Sequence, residues 1–293
     1  MKPVAFDYLV PRDTPEAVAL LAAYGADAKV LAGGQSLVPL MNFRLARPAY
    51  LVDINSITSL SGVEGSKGKV TVGATTRQRD AAMHPVIKER LPVVAEAMGY
   101  VGHLAIQNRG TVGGSMAHAD PAAELPLVAV ALDAQLHLQR AGGQRTVPAE
   151  QFFSGYLTTV IEPDELLTAT SFCVPPTGTG WCFTEIARRR GDFALVAVAV
   201  LLSVDQSGRV SSARIALGGV GPAPVRARAT EQVLIGESPT DEAFRAAAAS
   251  VGDALEPEDD IHASADYRRH LAGVLVQRAL TTARSRAPTN RHA

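Results

Sequence analysis

Two glycine pairs constrain this chain most: Ala32-Gly33-Gly34-Gln35-Ser36 and Thr111-Val112-Gly113-Gly114-Ser115. The first follows the short apolar run Lys29-Val30-Leu31-Ala32, which reads as a strand stopped abruptly by the glycines. A short helical turn over Ser36 to Met41 and a second strand over Tyr50 to Ile54 come next. Strand, glycine turn, short helix and strand make an α/β unit. A glycine pair lets the backbone turn tightly and approach a ligand with no Cβ in the way. Successive free N–H groups in such a turn form a concavity for an anion, and the hydroxyls of Ser36, Thr111 and Ser115 add donors. Each turn alone reads first as an ordinary tight turn, and it is the two together, with their hydroxyls, that suit the two phosphates of a pyrophosphate as well. Spacing leaves both readings open. Other phosphate motifs are missing: Gly68-Lys69 is followed by Val70, and Gly219-Val220-Gly221 runs into Pro222.

Around these motifs the chain reads as an α+β protein. Thr14-Pro15-Glu16 has the form of a helix N-cap, first position and acidic first turn, with the helix over Ala17 to Tyr24 closed by Gly25. Val70 to Ala74 is a strand, and helices are expected over Thr76–Met83 and Val86–Gly99. His103 to Asp120 is rich in glycine and small residues without a clear period and reads as an extended loop system, a length that usually signals function. Asp120-Pro121 opens a helix through Leu132, followed by strands over Gln135–Gln139 and Leu166–Val174. Pro175 to Gly180 is the best linker in the chain. Beyond it lie three strands, Trp181–Ala187, Ala194–Asp205 and Val210–Leu217, the last two joined at the hairpin signal Ser207-Gly208. Three helices then cover Arg226–Leu234, Asp241–Val251 and Ala265–Arg284, and the polar stretch Arg284 to Ala293 reads as frayed.

Composition excludes several functions. The 293 residues carry 28 basic and 29 acidic side chains, a net charge of −1, against the basic excess of a general nucleic-acid binder. With 47% hydrophobic and 19% charged residues the chain is suited to a soluble core, and no apolar run reaches the roughly 20 residues of a membrane span. The N-terminus lacks the apolar stretch of a signal peptide, so a cytoplasmic location is expected. Cys173 and Cys182 are the two cysteines. They are too few for an iron–sulfur cluster, which as a rule takes four cysteine ligands, and no neighbouring ligands complete a zinc site. They read as small buried hydrophobes. His118, Asp120 and Glu124 do not share a helical face, which argues against a metal site. Redox chemistry on this chain therefore needs an organic cofactor, or one borrowed from a partner.

The segments LAGGQSLVPLMNFRLARPAYLVDIN (Leu31–Asn55) and IQNRGTVGGSMAHADPAAELP (Ile106–Pro126) resemble the FAD-binding medium subunit of the molybdenum hydroxylases, the carbon monoxide dehydrogenase and xanthine dehydrogenase family. RRRGDFALVAVAVLL (Arg188–Leu202) and IALGGVGPAPVRA (Ile215–Ala227) resemble that family's C-terminal domain. The resemblance covers nearly the whole chain. It implies a two-subdomain FAD-binding domain of the vanillyl-alcohol-oxidase (PCMH) type, over residues 1–55 and 56–177. A small α+β C-terminal domain over 178–285, with a three-stranded antiparallel sheet plus helices, would follow, and 286–293 would form a disordered tail.

The same resemblance implies that Ala32, Gly33, Gly34, Gln35, Ser36 and Leu37, with Thr111, Val112, Gly113, Gly114 and Ser115, embrace the FAD pyrophosphate. Asp120 and Glu124 match positions near the ribityl and ribose hydroxyls, although an N-cap aspartate and a first-turn glutamate also serve a helix on their own. Leu167 matches a position beside the nucleotide, and Phe193 one near the isoalloxazine ring, where relatives often have tyrosine; a core role is the other reading of Phe193. Gln35 stands where close relatives often have histidine. Arg188-Arg189-Arg190 is either a guide for an electron partner or a solvated face. No catalytic nucleophile, general base or metal ligand is expected. The implied complex adds a large molybdenum-pterin subunit and a small subunit with two [2Fe-2S] clusters, assembled as a dimer of heterotrimers. Electrons would pass from molybdenum through the clusters to FAD and out to an external acceptor. Two other functions fit a chain of this kind, a free-standing flavin oxidase or reductase and a nucleotide-binding scaffold without a redox role.

Overall fold

The computed structural model describes residues 1–287. The first body is a parallel three-stranded sheet in the order β1-β3-β2, formed by β1 (Asp7–Leu9), β2 (Ala28–Leu31) and β3 (Tyr50–Asp53). Helix α1 (Thr14–Tyr24) buries Ala17, Val18 and Leu21 against it, in a core completed by Val52, Ile54, Ile57 and Leu60. Its N-cap is Asp13, one residue before the expected Thr14. The Asp13 backbone is extended and its carboxylate accepts the Glu16 N–H at 2.9 Å, while Glu16 turns back to Arg12. Gly25 ends the helix at φ +51°. Helix α2 (Leu37–Asn42) links β2 to β3.

The second body is an antiparallel five-stranded sheet in the order β4-β5-β10-β6-β7. Its strands are β4 (Val63–Ser66), β5 (Lys69–Gly73), β6 (Gln135–Arg140), β7 (Gly143–Pro148) and β10 (Leu166–Cys173), with a small ribbon of β8 (Phe153–Gly155) and β9 (Thr158–Thr159). Helices α3 (Gln78–Met83), α4 (Pro85–Arg90), α5 (Pro92–Met98), α6 (Leu104–Gln107), α7 (Val112–His118), α8 (Glu124–Ala131) and α9 (Ala149–Phe152) accompany it. The single helix expected over Val86–Gly99 is two, because Pro92 starts a new turn after Leu91 leaves the helical region. The stretch His103–Asp120 is not a loop system but holds α6 and α7. The helix expected from Asp120 starts instead at Glu124: Pro121 cannot donate a backbone N–H, and the Asp120 carboxylate is engaged with the Ala122 N–H at 2.9 Å in a local turn.

The third body is an antiparallel sheet of β11 (Gly180–Ala187), β12 (Ala194–Val204), β13 (Val210–Gly218) and β14 (Val225–Arg226). The last is a two-residue fourth strand beyond the three expected. Helices α10 (Arg228–Leu234), α11 (Asp241–Ser250) and α12 (Ala265–Arg286) cover one face of it. Strand β12 alternates: Val196, Val198, Val200 and Leu202 point to α11 and α12, while Ala197, Ala199 and Leu201 point to the second body. One core therefore runs from Val70 and Phe172 through α8 to Phe183 and Ala216. Cys182 faces the helical side, and burial pushes its thiol up to about 11. The stretch read as frayed from Arg284 is helical through Arg286: Arg284 bonds Pro239 O, and Arg286 bonds Glu96 and Trp181 O. Residues 288–293 of the expected tail lie outside the described residues.

Candidate functional site

The two glycine turns meet, although 77 positions separate Gly33 from Gly110 in the chain. Gly33 packs so closely on the residues leading into the second motif that a Cβ there would fall 2.5 Å from Arg109 O and 2.8 Å from Gly110 Cα. Two polar side chains fix this approach. Asn55, just after β3, donates from Nδ2 to Ala32 O at 2.8 Å. The Arg77 guanidinium donates to Asn55 Oδ1 at 2.8 Å and to Arg109 O at 2.7 Å, so a single fork ties the first turn to the second. The main chain of Arg77 also bridges Thr111. Neither Asn55 nor Arg77 is marked by the sequence, because each acts through contacts between segments far apart in the chain.

The turns differ in what they offer an anion. In the first, the N–H groups of Gly33, Gly34, Gln35 and Ser36 have no protein acceptor among the described residues. Gly34 sits at φ +70°, which glycine adopts without strain. Ser36 is the N-cap of α2 and makes no side-chain capping bond, which leaves its hydroxyl available. Gln35 folds back and donates from Nε2 to Gly33 O at 3.0 Å, bracing the turn, and Leu37 begins α2. This is an anion nest.

The second motif is a helix start, and most of its N–H groups are already paired. Val112 N–H donates to Thr76 O at 3.0 Å and Gly113 N–H to Ala74 O at 2.9 Å. Gly114 N–H donates to the Thr111 hydroxyl at 3.1 Å, so Thr111 is the N-cap of α7. Gly113 is required because a Cβ would fall 2.5 Å from Ala74 Cβ. Val112 is fully buried in the central core. Thr111 is itself buried and spent on this cap, and Ser115, half-buried, is the motif's remaining hydroxyl. The reading of two equivalent nests is therefore corrected to one nest and one capped helix end set against it.

The remaining candidates lie along the seam between the second and third bodies. Asp120 and Pro121 meet the end of β13, where Gly219 N–H donates to Pro121 O at 2.8 Å. Glu124 opens α8, and burial, reinforced by the nearby Asp120 carboxylate, pushes its carboxyl up to about 7. Phe193 is 69% exposed rather than packed in the core and borders a cavity of about 310 Å³ that Pro121 and Ala122 also line. Arg188 and Arg189 pair with Asp192 in the adjoining loop. Leu167 is buried in β10 at a register shift, paired with Leu138. Leu167 shares the central core with Val112 of the second motif, in β10 packed on α7, whereas Phe193 stands at the cavity on the third body.

The residues at the turns fit a dinucleotide diphosphate. The approach at Gly33 is stripped of Cβ atoms, the N–H groups of the first turn are free, and nothing acidic stands within either motif.

Comparison with known proteins agrees with this geometry. Residues 4–175 match the family model described as the FAD binding domain in molybdopterin dehydrogenase, and residues 181–283 match the CO dehydrogenase flavoprotein C-terminal domain. The chain is 40% identical over 287 residues to the 6-hydroxypseudooxynicotine dehydrogenase complex subunit alpha of Paenarthrobacter nicotinovorans, covering 98% of this chain and 97% of that one. It is 39% identical over 287 residues to the carbon monoxide dehydrogenase medium chain of Hydrogenophaga pseudoflava, covering 98% and 99%. It superposes with a TM-score of 0.95 and 40% identity on a solved structure of the carbon monoxide dehydrogenase from Hydrogenophaga pseudoflava lacking the molybdopyranopterin moiety, covering 98% of this chain and 100% of that one. On the strength of both domain matches and these full-length likenesses, the chain belongs to the FAD-binding medium subunits of the molybdenum hydroxylases, the oxidoreductase family of carbon monoxide and xanthine dehydrogenases.

Proposed function

We propose that this chain is the FAD-carrying electron-transfer subunit of a molybdenum hydroxylase complex. In this reading the pyrophosphate lies between Ala32–Leu37 and Thr111–Ser115. Asp120 and Glu124 reach toward the ribityl and ribose hydroxyls, Leu167 lies beside the nucleotide, and Phe193 sits near the ring. FAD, when bound, supplies the capacity to hold one or two electrons. The chain's own residues bind and orient the dinucleotide. The nest on Gly33–Ser36 supplies uncommitted donors, Ser115 adds a hydroxyl from α7, and Asn55 and Arg77 hold the two turns at a fixed separation.

The complex would add a small subunit with two [2Fe-2S] clusters that delivers electrons, and a large molybdenum-pterin subunit that hydroxylates the substrate. Transfer to an external acceptor completes the path. The names of the relatives, a dehydrogenase complex subunit and a carbon monoxide dehydrogenase medium chain, support this division of labour. We place the assembly in the cytoplasm as a dimer of heterotrimers. Among the described residues no helix is long and apolar enough to cross a membrane.

The observation that carries the reading is the juxtaposition of Gly33 with Arg109 and Gly110. The test is to purify the chain alone, reconstitute it with FAD and offer it organic substrates with an artificial acceptor. Tight yellow protein without substrate turnover is expected. Turnover by the isolated chain would make it a free-standing oxidase or reductase, and a colourless protein that binds ADP but not flavin would make it a scaffold.

A further inference from the structure

Helix α12 carries a buried cation. Arg268, in its first turn, is only 7% exposed, and a charge that deep persists only where it is paired and hydrogen-bonded. The helix itself has no use for it. A cation in the first turn opposes the helix dipole, and capping is already done by Ser264, whose hydroxyl accepts the Tyr267 N–H at 3.2 Å. The partners of Arg268 come instead from three other segments. Nη1 donates to Leu195 O in β12 and, at 3.1 Å, to Gly219 O in the turn after β13. Nη2 donates to the Asp260 carboxylate at 2.7 Å, which is held in turn by the N–H groups of His262 and Ala263 at 2.8 and 2.9 Å.

These partners surround one place. Leu195, Gly219, Asp260 and Arg268 all line the cavity of about 310 Å³ that Phe193 borders. Leu195 is a bulge residue: Val196 pairs with Ile186 and Ala194 with Ala187, which leaves Leu195 opposite no residue of β11. A bulge bends its strand and re-aims the side chains beside it, and Phe193 lies two residues away. The Leu195 carbonyl that the bulge releases from the ladder is the one Arg268 takes. Gly219 closes on the same oxygen, since a Cβ there, at φ +74°, would fall 2.6 Å from it. The Gly219 N–H donates to Pro121 O at 2.8 Å. One guanidinium thus holds the strand that follows Phe193 against the turn that follows Asp120.

We propose that Arg268 is a positioning residue for the ring end of the flavin site. It locks the Leu195 bulge onto the Gly219 turn, and so fixes where Phe193 is presented to the isoalloxazine. It acts through Phe193 and not as a ligand of the cofactor. The inference rests on the FAD reading above, in which Phe193 sits near the ring. Arginine is required because its planar fork serves two carbonyls and a carboxylate at once, which a single ammonium centre does not.

The experiment reconstitutes the full chain with FAD and records flavin content, the visible circular dichroism of the flavin band and the melting temperature, with hydrogen exchange on the flavin-free chain. Arg268→Gln should keep its flavin, because the nest on Gly33–Ser36 is untouched, and lose most of the flavin dichroism. Phe193→Ala should lose the same signal, and the double variant no more than either. Arg268→Lys should not restore it. Asp260→Asn, which leaves the carbonyl bridge in place, should shift the dichroism in the same direction by less. In the flavin-free chain Arg268→Gln should speed exchange over residues 192–196 and 219–221 and leave 33–36 unchanged. A lower melting temperature with wild-type dichroism makes Arg268 merely structural, and additive losses in the double variant remove Phe193 as its intermediary; either overturns the proposal. Where Arg268→Gln does not fold, Asp260→Asn carries the test, and unchanged dichroism there overturns it. Unchanged dichroism in Phe193→Ala overturns the proposal together with the ring placement and leaves the pyrophosphate site standing. A wild-type chain that binds no flavin overturns the FAD reading as a whole.

Discussion

Gly33 and Arg109 touch through bare backbone: a Cβ on the glycine would fall 2.5 Å from the arginine's carbonyl oxygen, inside any real carbon–oxygen contact. Gly33→Ala must therefore force the two turns apart. We expect FAD content to fall to a small fraction of wild type and the melting temperature to drop. Gly143→Ala, at a position with open space around it, should change neither. Absorbance at the flavin band and thermal unfolding check the pair.

The Arg77 fork acts through geometry more than charge. Arg77→Ala removes both the Asn55 and the Arg109 bonds, and FAD should bind about tenfold more weakly, a loss of about 1.4 kcal/mol. Arg77→Lys should not restore it, because an ammonium lacks the planar fork that spans two acceptors. Asn55→Ala combined with Arg77→Ala should cost less than the sum of the two, measured by flavin titration in a double-mutant cycle.

Thr111 serves α7 before it serves any ligand. Thr111→Ala deletes the oxygen that accepts the Gly114 N–H and should destabilise the protein by about 1 kcal/mol, with Thr111→Ser close to wild type. Chemical unfolding of the flavin-free chain reads this directly.

Glu96 joins the second and third bodies. Its carboxylate accepts from Phe183 N–H at 2.7 Å and from Arg286, whose guanidinium lies 4.0 Å from the Trp181 ring centroid. Glu96→Ala leaves a strand amide without its partner and should cost about 2–3 kcal/mol. Arg286→Ala, on a more exposed group, should cost less. Trp181 is the single tryptophan, so its fluorescence reports loosening at this place without labels.

The acids at the seam give stability a direction with pH. Glu185 in β11 and Glu124, held by burial at about 8 and about 7 in the fold, ionise near the ordinary glutamate value once unfolded. Between that value and about 8 the folded chain holds more protons than the unfolded one, so stability is greatest at the acid end and falls as pH rises. The flavin-free protein should melt several degrees lower at pH 8.5 than at pH 5.5. Glu185→Gln should flatten that slope, as differential scanning calorimetry would show.

The elements legible in the sequence were those with a local cause. Pro15, Gly25 and the alternating valines of β12 signal their own structure, and the end of β2 is written in Gly33-Gly34. The opaque parts have causes at a distance. Helix α7 is built of Val-Gly-Gly-Ser, which has no helical period; it forms because Thr111 caps it and Ala74 receives Gly113. Strands β4 and β7 are largely polar edge strands, recognised only by the neighbour they pair with. The first glycine turn was readable as a nest from its residues alone. That the second is a capped helix end depends on Thr76 and Ala74 accepting its N–H groups. Glu185 was hidden inside a run that reads simply as an apolar strand.

Helix α8 is buried on every side from Leu125 to Ala131, lying between α5 and the β12–β13 face. The two matched segments, 4–175 and 181–283, thus share a wall rather than a hinge. A chimera that splices the front of one relative onto the back of another would have to carry over both linings of that wall, so these pieces are inherited together although they can be named apart.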